Sequence, residues 1–202
     1  MSARNKSLLL IFSILLIDQV LKIIIKTNMV IGEEIPLLGN WFRIHFLENN
    51  GMAFGMEWGG KAGKVALSVF RMMAIIGIAW YLDSIIRKKA SLGLILSVSA
   101  IIAGASGNLI DSVFYGMIFS ESWHTTAVLF PEGGGYSSFL HGRVVDMFYF
   151  PLIDTHWPDW SPIKPGQSFI FFRPVFNIAD ASITMGVVSI LFFQKRFLED
   201  NK

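Results

Sequence analysis

The sequence predicts an all-α membrane protein, a bundle of four transmembrane helices with two segments outside the bilayer. Three observations carry this. Hydrophobic residues make up 53% of the chain and charged residues 16%, with a mean hydropathy of +0.54, whereas soluble domains have roughly 25% charged residues. The apolar residues gather into four blocks, at about 7–25, 65–86, 92–112 and 178–194, each near the ~20 residues that cross ~30 Å of hydrocarbon. The basic residues fall at alternate block ends, as an even number of crossings requires.

The first block, "SLLLIFSILLIDQVLKIII", has the basic start and apolar run of a secretory leader. Asp18 stands where a leader would carry a small-residue cleavage site, and the apolar pattern resumes after it, so a retained span is expected. The second block ends in Asp83 and Arg87, one helical turn apart, the spacing of an interfacial ion pair. The third and fourth are rich in Gly, Ala and Ser ("SVSAIIAGASG"); small residues let membrane helices approach closely. Arg4 and Lys6 precede the first block, Arg87, Lys88 and Lys89 follow the second, and Lys195 and Arg196 follow the fourth. The positive-inside rule puts all three sets in the cytoplasm, with both termini inside; Lys61 and Lys64 fall on the outer side against the trend. On that topology the Asn5-Lys6-Ser7 sequon is cytoplasmic and carries no glycan.

The outer segments are about 29–63 and 120–176. In the first, "WFRIHFLENN" alternates, with Phe42, Ile44 and Phe46 on one face and Arg43 and His45 on the other, a half-buried strand. It runs into "NNGMAFG", where Gly51 and Gly55 mark turns or close backbone approach. The second holds six of the seven prolines and reads as a loop-rich insert with short strands such as "SFIFF".

Several chemistries are excluded. With no cysteine there is no disulfide, thiolate metal site or cysteine nucleophile. A net charge of +2 without a basic stripe gives nucleic-acid binding no support. G-x-S-x-G, H-E-x-x-H and P-loop patterns do not occur, and His45, His124, His141 and His156 are too scattered to suggest a metal centre. What remains is carboxylates at membrane depth, each a functional hypothesis whose partner must be found. Asp18 and Lys22 share one face of the first span as an acid-before-base pair, expected to be structural. Asn108 and Asp111 close the third span. Asp146 is carried in "GRVVDMFYF" among apolar neighbours. Asp180 opens the fourth span behind Asn177, a candidate N-cap, where a carboxylate also complements the helix dipole.

The topology sets Asp146 and Asp180 at the same outer boundary. Two close carboxylates share one proton, because both cannot ionise comfortably. The ionised one can then activate water while the protonated one polarises a carbonyl, as in aspartic proteases.

Taken together, "DQVLK", "NNGMAFG", "GASGNLIDS", "GRVVDMF" and "FNIADASI" resemble, in order and over nearly the whole chain, the lipoprotein signal peptidase (signal peptidase II) family. The resemblance implies a cofactor-free, metal-free aspartyl endopeptidase of the bacterial inner membrane. It would form one domain over residues 1–202, with the active site at the outer face. Such an enzyme cuts prolipoproteins before a diacylglyceryl-modified cysteine and is inhibited by globomycin. The implied fold is a four-helix bundle with a small extracytoplasmic β-cradle containing "WFRIHFLENNGMAF", here extended by the outer insert. The implied catalytic residues are Asp146 and Asp180. Asn49, Gly51, Asn108 and Asn177 are implied at the substrate site, and Asp18 and Lys22 match the first-span pair. Lipid-modified precursors and membrane lipids are the expected partners of a monomer. Two departures stand out. Ser112 occupies a position where the family usually has Arg, leaving Arg143 and Arg173 as candidates for its role. The stretches from Ser112 to Asp146 and from Asp146 to Asn177 are longer than in compact members. The rival readings are a small proton-coupled transporter using Asp18, Asp146 and Asp180 as a relay, and a non-enzymatic assembly factor. The first would favour inverted repeats and broken helices, which the sequence lacks; the second would tolerate loss of both acids.

Overall fold

The computed structural model describes residues 1–39, 41–51, 60–162, 164–171 and 173–199. Residues 52–59, which include Gly55 and the Ala-Phe end of the "NNGMAF" motif, and the side chain of Lys61 lie outside the described residues. The order is α1 (Ala3–Asn28), β1 (Glu34–Leu38), β2 (Phe42–Asn49), α2 (Gly60–Arg87) and α3 (Leu92–Ile110). A π-helical turn (Asp111–Tyr115) and the single turn α4 (Gly116–Ile118) follow. Then come β3 (Val144–Tyr149), β4 (Ile153–His156), β5 (Ser168–Phe171), β6 (Val175–Phe176) and α5 (Ile178–Glu199).

Among the described residues, four helices are long and apolar enough to cross a membrane: Ala3–Asn28, Ala62–Arg87, Leu92–Ile118 and Ile178–Phe197. The helices are longer than the apolar blocks because polar ends extend them. Ser2 caps α1 by accepting from the Asn5 amide, and Ser91 caps α3 by accepting from Leu94. The third span also runs past the sequence-based end at 112. The chain after Asp111 stays helical by widening into the π turn, a form often found at functional sites.

α1 is built inside out relative to a soluble helix. Its buried residues are Ser7, Asp18, Lys22, Ile25 and Lys26, while Leu8, Phe12, Leu16 and Ile24 are exposed. Leucine loses nothing by facing lipid, but an unpaired polar group there costs several kcal/mol, so the polar stripe turns inward. Inside, Ser7 and Ser99 join α1 to α3 through a 2.7 Å hydroxyl contact. α3 and α5 touch backbone to backbone. A Cβ on Gly104 would stand 2.2 Å from the Ala179 carbonyl oxygen, and one on Gly107 would stand 2.7 Å from Asp18 Oδ2. Only glycine fits at either position.

The antiparallel sheet has the order β1-β2-β3-β6, and β4 and β5 form a separate hairpin. The alternation read in "WFRIHFLENN" is β2, and "SFIFF" contributes β5. β3 lies at the centre, pairing Leu47 with Asp146 on one side and Phe148 with Phe176 on the other. Its period of two sends Val145 and Met147 into a core with Ile25, Met29, Phe46, Tyr115 and Phe119. Asp146 and Phe148 take the opposite face. Around Phe148 runs an aromatic row: Phe42 stacks on Phe150 at 4.6 Å between centroids, and Phe150 stacks on Phe176 at 5.8 Å.

Candidate active site

The site begins with an open sheet edge. β6 is only two residues long, so the β3 backbone beside Asp146 has no strand partner on that side, and a buried backbone group must be paired. Two side chains close the gap. Asp111 Oδ2 accepts from the Val145 amide at 3.3 Å, and Asn177 Nδ2 donates to the Val145 carbonyl at 3.1 Å.

Asn177 is the pivot. Its Oδ1 accepts from the Asp180 amide at 2.8 Å, and its own amide donates to Asp180 Oδ2 at 3.4 Å. That is a reciprocal cap with Asp180 at the third helical position. Asn177 is therefore the N-cap of α5, as its position suggested. Its Nδ2 also donates to Asp146 Oδ1 at 2.7 Å. One residue thus reaches both carboxylates that the sequence paired, Asp146 through its side-chain amide and Asp180 through its backbone N–H. Asn108 adds a second tie: its Nδ2 donates to Asp180 Oδ1 at 2.7 Å, while its Oδ1 accepts from Lys22 Nζ at 2.9 Å. Asn49 closes the other side, donating through Nδ2 to Asp146 Oδ2 and accepting from the Gly51 amide at 2.6 Å. The turn needs Gly51, whose φ is +84°.

Asp146 is 6% exposed. Burial, then the neighbouring charge of Asp180, push its pKa up to about 7. The Lys22 charge and the amides of Asn49 and Asn177 act the other way without cancelling that rise. Asp146 therefore holds its proton well above the ordinary aspartate range, as expected of a buried carboxyl beside a second acid.

Asp18 and Lys22 form the expected ion pair, at 2.9 Å, but it is larger than the sequence suggested. Asp111 is a second carboxylate on Lys22, at 2.7 Å. Gln19 Nε2 donates to Asp18 at 3.1 Å and to Asp111 at 3.0 Å, and Tyr115 donates to Gln19. Asp18 Oδ1 accepts from the Ala179 amide at 2.9 Å, so this cluster also holds the start of α5. Asp111 carried a detectable signal: an acid within a span with no cation three or four residues away must find one on another helix.

Arg143, one candidate for the role of the family arginine, is used elsewhere. Its Nη1 pairs with Glu48 at 3.0 Å and its Nη2 with Glu121 at 2.6 Å, and its guanidinium lies 4.3 Å over the Tyr136 ring. Arg173 is exposed. Besides Lys22, a cation close enough to act on the carboxylates is Arg71 of α2, which sequence reasoning passed over. It donates to the Gly51 carbonyl and interacts electrostatically with Asp180 and Asp111. Its signal was plain: an arginine inside an apolar span with no acid on its own face. Asp83 and Arg87 pair at 2.6 Å, and Arg4 joins them at 2.7 Å. Among the described residues, no group of three or more His, Asp or Glu side chains is placed to hold a metal ion.

Fold and site together define a multi-pass membrane protein with two amide-tied carboxylates where its sheet meets its helices. A family model described as signal peptidase (SPase) II matches residues 10–195, and the chain belongs to that family. It is 50% identical over 183 residues to a lipoprotein signal peptidase of Porphyromonas gingivalis, covering 90% of this chain and 79% of that one. A lipoprotein signal peptidase of Amoebophilus asiaticus is 38% identical over 178 residues, covering 87% and 71%. A bacterial membrane enzyme solved by the in meso method superposes with a TM-score of 0.63 at 26% identity, over 98% of this chain and 92% of that one.

Proposed function

We propose that this protein is a membrane aspartyl endopeptidase that removes signal peptides from prolipoproteins, cutting before a diacylglyceryl-modified cysteine. Asp146 and Asp180 would be its catalytic residues. The observation that carries the reading is that the one buried residue Asn177 bonds both acids, Asp146 through its side-chain amide and Asp180 through its backbone N–H. It ties together two groups 34 positions apart, in the family whose activity needs such a pair.

In the proposed reaction Asp180 is the ionised member. It takes a proton from water as the oxygen adds to the scissile carbonyl carbon, while the Asp146 carboxyl gives its proton to the carbonyl oxygen. When the tetrahedral intermediate collapses, the carbonyl re-forms and returns a proton to Asp146. The proton on Asp180 passes to the leaving nitrogen as the C–N bond breaks. Asn49 and Asn177 hold Asp146, and Asn108 and the α5 cap hold Asp180, so neither acid must reorganise at the moment of reaction.

The rest of the proposal follows from topology. The termini lie in the cytoplasm and the site at the outer face of a bacterial inner membrane. The chain acts as a monomeric single domain. The sheet cradles the extended substrate beside the aromatic row of Phe42, Phe148, Phe150 and Phe176, and the lipid tails lie along the apolar helix faces. Globomycin-type inhibitors compete for the same place. The 120–143 stretch braces the site from outside: Lys26 bonds Glu48 and Ser122, and Arg143 bonds Glu48 and Glu121.

The test uses purified protein in detergent with a diacylglyceryl-modified lipoprotein precursor and the same precursor without lipid. The lipidated one is shortened at the residue before its cysteine and the other is not. No cleavage of either, or equal cleavage of both, contradicts the proposal.

A further inference from the structure

α2 presents a polar stripe, Lys64, Ser68 and Arg71, at helical spacing toward the turn after β2. Lys64 Nζ donates to Asn50 Oδ1 at 2.8 Å and to the His141 carbonyl at 3.0 Å. Arg71 donates to the Gly51 carbonyl, and the fit there is tight: a Cβ on Gly51 would stand 2.6 Å from Arg71 Nη1. The same turn holds Asn49, through the Gly51 amide on Asn49 Oδ1. With its oxygen so engaged, Asn49 presents its NH2 to Asp146. A continuous chain therefore runs from Arg71 through Gly51 and Asn49 to Asp146.

We infer that Arg71 is a positioning residue of the peptidase reaction, holding the Asn49–Gly51 turn so that Asn49 fixes the Asp146 carboxyl. The inference rests on the proposed peptidase reading. A lysine would not serve equally, because an ammonium is a point charge without the planar reach of a guanidinium. Arg71 also places a positive charge near Asp180 and Asp111. The charged groups around the pair are then Asp146 on β3, Asp180 on α5, Asp18 and Lys22 on α1, Asp111 at the end of α3, and Arg71 on α2. Of these, Arg71 is the cation that stands outside the Lys22 cluster. Removing it withdraws a cation that favours the ionised acids, so both limbs of the pH–rate profile move to higher pH.

The experiment measures kcat, KM and the pH profile on the lipidated precursor for wild type, Arg71→Gln, Arg71→Lys, Gly51→Ala and the Arg71→Gln/Gly51→Ala double variant. Melting in detergent confirms the folded fraction of each. For Arg71→Gln, kcat falls about 10- to 100-fold with KM within about threefold, and the pH optimum moves up. For Arg71→Lys, the optimum returns to the wild-type position while kcat stays below wild type. Gly51→Ala displaces the guanidinium, so the double variant is no worse than the poorer single one. Wild-type kcat or an unmoved optimum in Arg71→Gln, full kcat in Arg71→Lys, or multiplied losses in the double variant would overturn the inference. Wild type that cuts nothing would instead overturn the proposed function.

Discussion

Lys22 and Asp146 are both buried ionisable groups, and they are treated in opposite ways. Lys22 is met directly by two carboxylates, at 2.9 and 2.7 Å, and donates to Asn108, while Gln19 bridges the two carboxylates. Asp146 receives amide hydrogen bonds from Asn49 and Asn177, and the charge of Asp180 repels its ionised form. A buried charge matched by counter-ions is a fixed structural part, because changing its protonation leaves its partners uncompensated. A buried carboxyl held by neutral amides keeps its geometry in either protonation state. That is what a group exchanging a proton during a reaction needs. Asp111 joins the two regions, its Oδ2 meeting both Lys22 and the Val145 amide of β3 beside Asp146.

The comparison can be broken most severely at the acids themselves. Asp146→Asn or Asp180→Asn keeps the size and one of the two accepted hydrogen bonds at each site, so the protein folds. Cleavage of the lipidated precursor falls at least about 10³-fold, as expected on losing a general acid or base. Asp146→Asn also removes an ionisation that burial disfavours. The folded pKa is raised from 3.8 to about 7, so the stability Asp146 contributes is full below its unfolded pKa and lost as pH rises through 7. The variant therefore melts higher than wild type in detergent at pH 8. Next comes Lys22→Met, which leaves Asp18 and Asp111 facing each other without a cation. A loss of about 3–5 kcal/mol is expected, seen as poor accumulation or early melting. Restored stability in the triple variant Asp18→Asn/Lys22→Met/Asp111→Asn would sharpen the structural reading of that cluster. Asn177→Ala should be milder in stability but cost about 10- to 100-fold in kcat with little change in KM, because Asp146 loses a hydrogen bond and the first turn that carries Asp180 loses its side-chain cap. Smallest is Asp83→Asn, which breaks the exposed pairs with Arg4 and Arg87; a change below about 1 kcal/mol is expected.

The four spans, β2 and the pairing of Asp146 with Asp180 were legible because each leaves a local trace: an apolar block, an alternation, an acid in a greasy stretch. The N-cap role of Asn177 was legible too, since the Asn-x-x-Asp spacing is itself the capping geometry. Residues that act across elements were not. At Asp111 the sequence suggests capping or interhelical hydrogen bonding without naming a partner; the partners are on α1 and β3, and no spacing rule connects positions 22, 111 and 145. Arg71 was missed although an unpaired cation inside a span is as informative as an acid. Arg143 was a plausible substitute by position, but Glu48 and Glu121 hold it outside the site. The glycines at 104 and 107 read only as small residues; the space they save, for Ala179 and Asp18, exists only once α1, α3 and α5 have packed.

The most direct measurement is the protonation of Asp146 itself, followed by the infrared carboxyl band that wild type shows and Asp146→Asn lacks, titrated in detergent alongside kcat/KM. The account predicts that the band disappears with a midpoint of about 7, that activity falls with it on the alkaline side, and that Asp180→Asn lowers the midpoint by removing the neighbouring charge. A band gone by about pH 5, near the ordinary range for an aspartate, with activity unchanged through neutrality, would contradict it.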